Sequence, residues 1–407
     1  VQTITLHHTR HIEGRVRFLP ASKSISNRVL VINALAGGGS AIANLSEAND
    51  TRLMIRLLES HDPEWNAEDA GTTMRFLTAY SAVQPGVRRL TGTHRMKQRP
   101  IGILVDALRQ LGAEIKFLEK EGFPPLEVRG IAQQLTNQVA VRGDVSSQFI
   151  SALMMIGPVL PEGLTIELVG QVGSRPYIEM TAALMHRFGA EVAWQHNCLI
   201  IPRGAYRPTS YTVENDWSAA SYWFSFAALA NTGEIVLPSM TLRSIQGDRI
   251  IADAMESLGV MCQPRGNDLL LMQKDCRESI VFDFTDCPDL AQTIMVVCAA
   301  RNVTGIFTGL ESLRIKETDR IAALQNELKK LGASLTQDDG RWLLKPAEHL
   351  PENIPPIATY DDHRMAMAFA PLAAMRTIQI ENPQVVKKSY PRFWDDLRQI
   401  GIRITGL

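Results

Sequence analysis

IGILVDALRQLGAEIKFLEKEGFPPLEV, residues 101–128, decides how the chain folds. Ile101, Leu104, Leu108 and Leu111 recur at three- and four-residue spacing, which places them on one face of a helix, and Gly112 ends that helix. Ala113 to Leu118 then reads as a strand, Gly122 lies in a polar turn, and Leu126 to Val128 forms the returning strand. The segment therefore predicts a helix, a glycine stop and a hairpin in succession.

The same plan recurs along the chain. Ile178, Ala182, Met185 and Phe188 precede Gly189, with strands at Glu191 to Trp194 and Leu199 to Ile201. Ile251, Met255 and Leu258 precede Gly259, with strands around Met261 and at Leu269 to Met272. Ile321, Leu324, Leu328 and Leu331 precede Gly332, with strands at Ser334 to Thr336 and Trp342 to Leu344. Phe393, Leu397 and Ile400 precede Gly401 and a last strand, Ile402 to Thr405. The stops lie about seventy residues apart, the size of a supersecondary unit with several elements rather than of a solenoid repeat. Apolar helices fall between them at Phe149 to Leu160, Ala219 to Ala230, Leu290 to Ala300 and Met365 to Met375, so each unit reads as a βαβαββ module. Thr51 to Glu59 is the helix of an earlier copy. It runs into His61-Asp62-Pro63-Glu64 and Asp69-Ala70-Gly71-Thr72 with no room for a hairpin, and that copy is read as truncated. A chain of 407 residues exceeds what one hydrophobic core serves, so six modules divide into two α/β domains of three, with the boundary expected near Thr212 to Asn215.

Composition narrows the function. Hydrophobic residues make up 45% and charged residues 21%, the mixture of a soluble globular protein. A formal net charge of -1 provides no global positive field, which excludes a general nucleic-acid binder and makes any anion specificity local. Cys198, Cys262, Cys276, Cys287 and Cys298 are odd in number and form no CxxC pair, so free, mostly buried thiols in a reducing cytoplasm are expected, without a zinc framework. No apolar run reaches membrane-spanning length, and the start, which begins at Val1 and reads as processed or trimmed, lacks a basic-then-apolar signal; a cytoplasmic location is expected. His7, His8 and His11 lack carboxylate and Cys partners at useful spacing, and no metal is expected there.

On this neutral background, several helices are entered through unusual polar loops. Ser22-Lys23-Ser24-Ile25-Ser26-Asn27-Arg28 stands ahead of the apolar run Val29 to Leu35, the pattern of an anion site at a helix N-terminus. Hydroxyls cap the first turn, free backbone N–H groups face outward, and Lys and Arg add charge to the positive end of the helix dipole. Similar entries are Asp69 to Arg75, Gly143 to Gln148, Gly173 to Tyr177, Asp286 to Asp289, Arg314 to Arg320 and Asp361 to Arg364. If the modules surround an approximate axis, those N-termini converge and make one side electropositive. Each loop also has a structural reading by itself. Asp289 with Gln292 fits a capping box, Ser146 and Ser174 fit N-caps, Glu317 fits the first turn of a helix, Gly71 a tight turn, and Lys388 a solvated charge.

Together and in this order, SKSISNR (22–28), DAGTTMR (69–75), RMKQRPI (95–101), DVSSQF (144–149), SRPY (174–177), LRIKETDR (313–320) and DDHRMAM (361–367) resemble the 5-enolpyruvylshikimate-3-phosphate synthases of the enolpyruvyl transferase family. The resemblance covers nearly the whole chain. It implies a two-domain inside-out α/β barrel, each domain three βαβαββ units about a pseudo-threefold axis, with the first unit truncated. Residues 1–20 plus 215–407 would form one domain and 21–214 the other, with the active site in the cleft between them. It also implies transfer of the enolpyruvyl group of phosphoenolpyruvate to the 5-hydroxyl of shikimate 3-phosphate, with release of phosphate, by a cytoplasmic monomer. Neither nucleic acid nor membrane is implied as a partner, and no metal or organic cofactor.

By that similarity, Lys23, Ser24, Arg28, Ser146, Ser147, Gln148, Ser174, Tyr177, Asp289, Ser312 and Lys316 would hold shikimate 3-phosphate. Lys23, Gly71, Arg99, Gln148, Arg320, Arg364 and Lys388 would hold phosphoenolpyruvate. The catalytic set would be Asp289, accepting the 5-hydroxyl proton, Glu317, protonating the methylene carbon, and Lys23 between the substrates.

The residue types suit that chemistry. Two phosphates and two carboxylates must be held, which calls for many cations and hydroxyls and favours bidentate Arg. Addition across a double bond needs an acid at one carbon and a base at the attacking hydroxyl, and elimination needs the reverse, so an acid–base pair is needed on chemical grounds alone, a role two carboxylates can fill. Cations near Glu317 favour its ionised form, so burial or the bound substrate must restore the acid. Lys and Arg can stabilise the leaving phosphate without a metal. Ala21 departs from the Gly common in the family, and Phe76 stands where some members have Pro, so Gly71 alone does not decide sensitivity to glyphosate, the family's phosphoenolpyruvate-competitive inhibitor. The nearest rival is the sister family acting on UDP-N-acetylglucosamine. It carries a reactive Cys in the loop corresponding to Gly92 to Pro100, and this chain has none there. A catalytically silent anion-binding protein on the same scaffold is a third reading, against which Lys23, Asp289 and Glu317 count together.

Overall fold

Gly112, Gly189, Gly259, Gly332 and Gly401, the five stops, have φ of 110°, 88°, 92°, 75° and 97°. Each ends its helix in the left-handed region, where a Cβ is strained, and so releases the chain toward a hairpin or, after Gly401, a final strand. At Gly112 space forbids a side chain too, because a Cβ would lie 2.3 Å from the carbonyl oxygen of Gln133.

The computed structural model describes every residue except Val1, Val145 and Thr232. Val145, inside the 144–149 motif, thus lies outside the described residues. The chain divides into two units, one formed by Val1–Ala21 with Glu214–Leu407 and the other by Ser22–Val213. Strands β1 (Thr3–Leu6) and β2 (Gly14–Arg15) belong to the former.

The unit of Ser22–Val213 opens with α1 (Lys23–Leu35), β3 (Ile42–Ala43) and α2 (Asn49–Glu59). Then come β4 (Glu64–Asn66), α3 (Gly71–Ala82), β5 (Val87–Thr91), α4 (Gly102–Gln110), β6 (Glu114–Phe117) and β7 (Leu126–Arg129). The order repeats with β8 (Gln138–Arg142), α5 (Ser147–Ile156), β9 (Leu164–Val169), α6 (Arg175–Arg187), β10 (Ala193–Gln195) and β11 (Cys198–Ile201), before β12 (Tyr211–Thr212). The sheets run β4-β5-β7-β6 and β8-β9-β11-β10. In each, the first two strands are parallel, as a helical crossover requires, and the hairpin strands are antiparallel. After α2 the chain passes straight into β4, and the third sheet is only β3 paired in parallel with β12. Helices α3 and α5 are buried nearly all round, which is why neither shows a single apolar stripe: α5 is apolar on almost every face, and α3 buries Thr73, Arg75, Thr78 and Ser81 beside its apolar residues.

The other unit continues through α7 (Trp217–Leu229), β13 (Glu234–Leu237), α8 (Ile251–Ser257), β14 (Val260–Arg265) and β15 (Asp268–Gln273). It repeats as β16 (Ser279–Asp283), α9 (Ala291–Ala300), β17 (Thr304–Thr308), α10 (Arg320–Lys330), β18 (Ser334–Asp338) and β19 (Arg341–Lys345). It ends with α11 (His363–Phe369), β20 (Ile378–Glu381), α12 (Phe393–Gln399) and β21 (Ile404–Thr405). The sheets are β2-β13-β15-β14, β16-β17-β19-β18 and β20-β1-β21, so both strands from the start of the chain complete sheets here. Helices α7, α9 and α11 pack on one another as the buried centre of the unit, lined by Trp223, Phe226, Met295 and Met365.

Three sequence expectations shift. The last strand starts at Ile404, not Ile402, because Ile402 N–H still donates to Leu397 O at 2.9 Å and closes the helix. The second hairpin starts at Ala193, since Ala190 N–H is likewise held by Met185 O. The cysteines are free, but only Cys287 and Cys298 are buried; Cys198, Cys262 and Cys276 are half-buried. Among the described residues no helix is long and apolar enough to cross a membrane.

Candidate active site

In the unit of Ser22–Val213 the residues singled out by sequence gather at the starts of α1, α3, α5 and α6, four helices that pack together. Ser22 caps α1, its Oγ accepting from Ile25 N–H at 3.4 Å. Lys23, the first helical residue, lies 3.1 Å through Nζ from Asp50 Oδ2 on α2. Arg28 is buried one turn deeper. Its Nε donates to Thr181 Oγ1 at 2.7 Å, Nη1 to Ser24 O at 2.9 Å and Nη2 to Ser151 Oγ at 3.1 Å, with the guanidinium over the Phe76 ring. Burial lowers its pKa to about 10. Arg28 thus ties α1 to α5 and α6 and fixes the backbone of Ser24.

Gly71 opens α3 against two guanidinium groups, those of Arg75 and Arg99. Arg75 donates to Pro100 O at 3.3 Å and Arg99 to Asp69 O at 3.5 Å, so the two chains brace the loops on either side. Ser146 caps α5 through Gln148 N–H at 3.3 Å, while Gln148 Nε2 donates to Thr72 Oγ1 at 3.1 Å. Ser147 is buried at the first position of α5. Ser174 holds the cap position of α6 without a side-chain cap bond and with φ 54°; the N-cap reading fails there, since its backbone is left-handed rather than in the extended conformation a side-chain N-cap adopts. Tyr177 follows in the first turn of α6, its ring beside the Arg28 guanidinium.

In the unit formed by both chain ends, Arg320 is the hub. It is buried at the start of α10, with Nη1 3.0 Å from Asp289 Oδ1, Nη2 2.9 Å from Glu317 Oε2 and Nε 2.7 Å from Asp362 Oδ2. Arg364 on α11 reaches Asp289 Oδ2 at 2.7 Å and donates to Tyr222 Oη at 3.3 Å. Lys388 Nζ lies 3.4 Å from Glu317 Oε1. Ser312 and Lys316 lie in and just after the 3-10 turn Glu311–Ile315, ahead of that hub. The two oxygens of Asp289 are therefore held by two different guanidinium groups, Oδ1 by Arg320 and Oδ2 by Arg364. Burial by itself raises this carboxyl, but Arg364, Lys316 and Arg320 outweigh it and hold Asp289 well below the usual carboxylate range. Arg320 is held charged by Asp362, Glu317 and Asp289 against the burial that opposes it. A carboxylate so gripped is oriented and weakly basic; an anion that takes over Arg320 and Arg364 would free it and raise its basicity.

Local readings of this half-site fail for identifiable reasons. Asp289 caps no helix: it lies in the 3-10 turn Pro288–Leu290, α9 begins at Ala291, and its carboxylate is spent on the two arginines. Glu317 lies ahead of α10, because Asp319 takes the cap and accepts from Ile321 and Ala322 N–H. Lys388 is only 14% exposed and ion-paired, not solvated. Sequence reasoning missed Asp50, Asp248, Tyr222 and the supporting part of Asp362. Asp248, 3% exposed, accepts from Ser218 Oγ, and burial, then the charge of Asp289, raises it to about 7. Nothing in Gln246-Gly247-Asp248 signals this, and Tyr222 inside an apolar helix reads as core. Asp362, by contrast, was visible in the 361–367 motif.

A family model described as EPSP synthase (3-phosphoshikimate 1-carboxyvinyltransferase) matches residues 6–62 and 59–397. A 3-phosphoshikimate 1-carboxyvinyltransferase from Bacteroides fragilis is 50% identical over 392 residues, 95% of either chain. One from Vibrio cholerae serotype O1 is 35% identical over 430 residues, covering 98% of this chain and all of its own. The solved EPSP synthase of Acinetobacter baumannii superposes with a TM-score of 0.78 over 99% of both chains at 21% identity, a likeness of the mixed α/β fold.

Proposed function

The chain belongs to the EPSP synthase family and catalyses that family's reaction, and we propose that its two polar half-sites carry it out together. The reaction moves the enolpyruvyl group of phosphoenolpyruvate to the 5-hydroxyl of shikimate 3-phosphate and releases phosphate, by addition and elimination through a tetrahedral intermediate. It is a step of the shikimate pathway to chorismate and the aromatic amino acids.

In this reading the two units are the domains of an inside-out α/β barrel, each of three units about a pseudo-threefold axis, with the substrates in the cleft between them. The strand order common to four sheets, and three sheets in each unit, support it. Ser24, Arg28, Ser146, Ser147, Gln148, Ser174 and Tyr177 face shikimate 3-phosphate from one side, and Asp289, Ser312 and Lys316 from the other. Gly71, Arg99 and Gln148, with Arg320, Arg364 and Lys388, hold phosphoenolpyruvate, and Lys23 touches both substrates. The protein works as a cytoplasmic monomer.

Phosphoenolpyruvate draws Arg320 and Arg364 toward its own anionic groups, which restores the basicity of Asp289. Asp289 then accepts the 5-hydroxyl proton as the oxygen attacks the central carbon, and Glu317 gives a proton to the methylene carbon. Elimination runs back: Glu317 retakes a methyl proton, the double bond re-forms, and phosphate leaves with the C–O electron pair beside Lys23, taking up the proton held by Asp289 so that both carboxyls return to their starting states.

The observation that carries this reading is the single ion-pair cluster joining Asp289 and Glu317 through Arg320, with Arg364 and Lys388 on its flanks. An assay of phosphate release from phosphoenolpyruvate tests it, with shikimate 3-phosphate and, separately, UDP-N-acetylglucosamine as acceptor. Release is expected with the first alone; none with either would leave a silent anion binder. Asp289→Ala should keep shikimate 3-phosphate binding and lose about 10²- to 10⁴-fold in kcat, and near-normal turnover would remove Asp289 as the base.

A further inference from the structure

The loop that delivers Asp362 and Arg364 is built from two consecutive residues in the left-handed region, Tyr360 (φ 54°) and Asp361 (φ 55°), neither of them Gly. Such a backbone persists only where its surroundings hold it. Here it is held from both sides. Glu327, fully buried on α10, accepts from Ala358 N–H at 3.1 Å through Oε2 and from Tyr360 Oη at 2.8 Å through Oε1, and its charge is met by Lys330 Nζ at 2.7 Å. On the far side Asn382, itself at φ 45°, donates through Nδ2 to Asp361 Oδ1 at 2.7 Å.

The placement of these two anchors relates them to the chemistry. Glu327 lies seven residues after Arg320, two turns along the same buried stripe of α10, so one helix grips the loop twice: at Asp362 through Arg320 and at Ala358 and Tyr360 through Glu327. Asn382 immediately precedes the 3-10 turn Pro383–Lys388, which ends in the Lys388 that pairs with Glu317. The strained loop therefore touches the elements bearing Arg320, Arg364 and Lys388.

We propose that Glu327 and Asn382 are positioning residues that lock the Tyr360–Asp361 turn and thereby set the mutual geometry of Arg320, Arg364 and Lys388 for phosphoenolpyruvate, a role that rests on the assignment of those three cations to that substrate. Neither anchor touches the substrates; each acts through the turn.

Steady-state kinetics with both substrates varied, together with thermal unfolding, test this in Glu327→Ala, Glu327→Gln, Tyr360→Phe and Asn382→Ala, with Arg364→Ala as reference. Gln can still accept from Ala358 N–H and donate to Tyr360 Oη, so it should rescue what Ala loses. The expected result is a KM for phosphoenolpyruvate raised at least about fivefold in Glu327→Ala and Asn382→Ala and less in Tyr360→Phe, with the KM for shikimate 3-phosphate within about twofold of the parent and Glu327→Gln close to it. Should Glu327→Ala not fold, Tyr360→Phe and Asn382→Ala, which alter less buried side chains, carry the test. If Arg364→Ala raises the KM for phosphoenolpyruvate while the anchor variants leave it unchanged, or move both KM values together, the positioning role is overturned and the site assignment stands. If Arg364→Ala also leaves it unchanged, the assignment itself fails.

Discussion

A Cβ at residue 71 would lie 2.4 Å from Arg75 Nη1 and 2.6 Å from Arg99 Nη1. Both obstructing atoms end long side chains, so a methyl group would push the guanidinium groups aside and leave the helix standing. Gly71→Ala is expected to raise the KM for phosphoenolpyruvate about tenfold, near 1.4 kcal/mol, with the KM for shikimate 3-phosphate little changed; steady-state kinetics would show it. Asp248 offers a second test. Burial, then Asp289, holds its folded-state pKa near 7, above the unfolded value, so the folded protein binds the extra proton between about pH 4 and pH 7. Stability linked to Asp248 is therefore full below that window and lost as pH rises through it. The gain in Tm of Asp248→Asn over the parent should grow from pH 4 to pH 7 and then level off. A flat difference would mean that Asp248 is ionised in the folded state throughout.

Among the elements, α10 carries the hub of the second half-site. Asp319 caps it with two bonds of 3.1 Å, Arg320 begins it, and Glu327 lies two turns on. Removing the cap with Asp319→Ala should cost about 0.5–2 kcal/mol in chemical denaturation; it should also raise the KM for phosphoenolpyruvate, because Arg320 sits on the turn that frays. The helices themselves were legible: apolar spacing located α4, α6, α8, α10 and α12, and each glycine stop fell where the backbone turns left-handed. Their entries were less so. Asp-x-x-Gln has one appearance whether Asp caps a helix or leaves its carboxylate for distant arginines, and that choice depends on what packs opposite Asp289.

For the whole molecule, the substrate contacts proposed above are divided between two units, and neither unit carries the full set. If that proposal holds, binding draws the units together and excludes water. Small-angle scattering should therefore show a smaller radius of gyration when shikimate 3-phosphate is added; an unchanged radius would count against closure. The N-terminal strands also belong to this scale. β1 and β2 complete two sheets of the C-terminal half, an arrangement invisible to periodicity because their partners β20 and β13 lie hundreds of residues away.

The order of amino acids alone determined the repeated helix-stop-hairpin plan, the truncated copy, and the polar loops that enter helices. Those features are local: spacing, a glycine and a cap act within a few residues of one another. Tertiary structure decided how the charges are used. It joined Asp289 to Arg364 across 75 positions and Lys23 to Asp50 across 27, buried Arg28 under the loop it supports, and raised Asp248 by burying it near Asp289. A carboxylate's basicity depends on burial and on which cation faces it, and both are set only when distant segments meet.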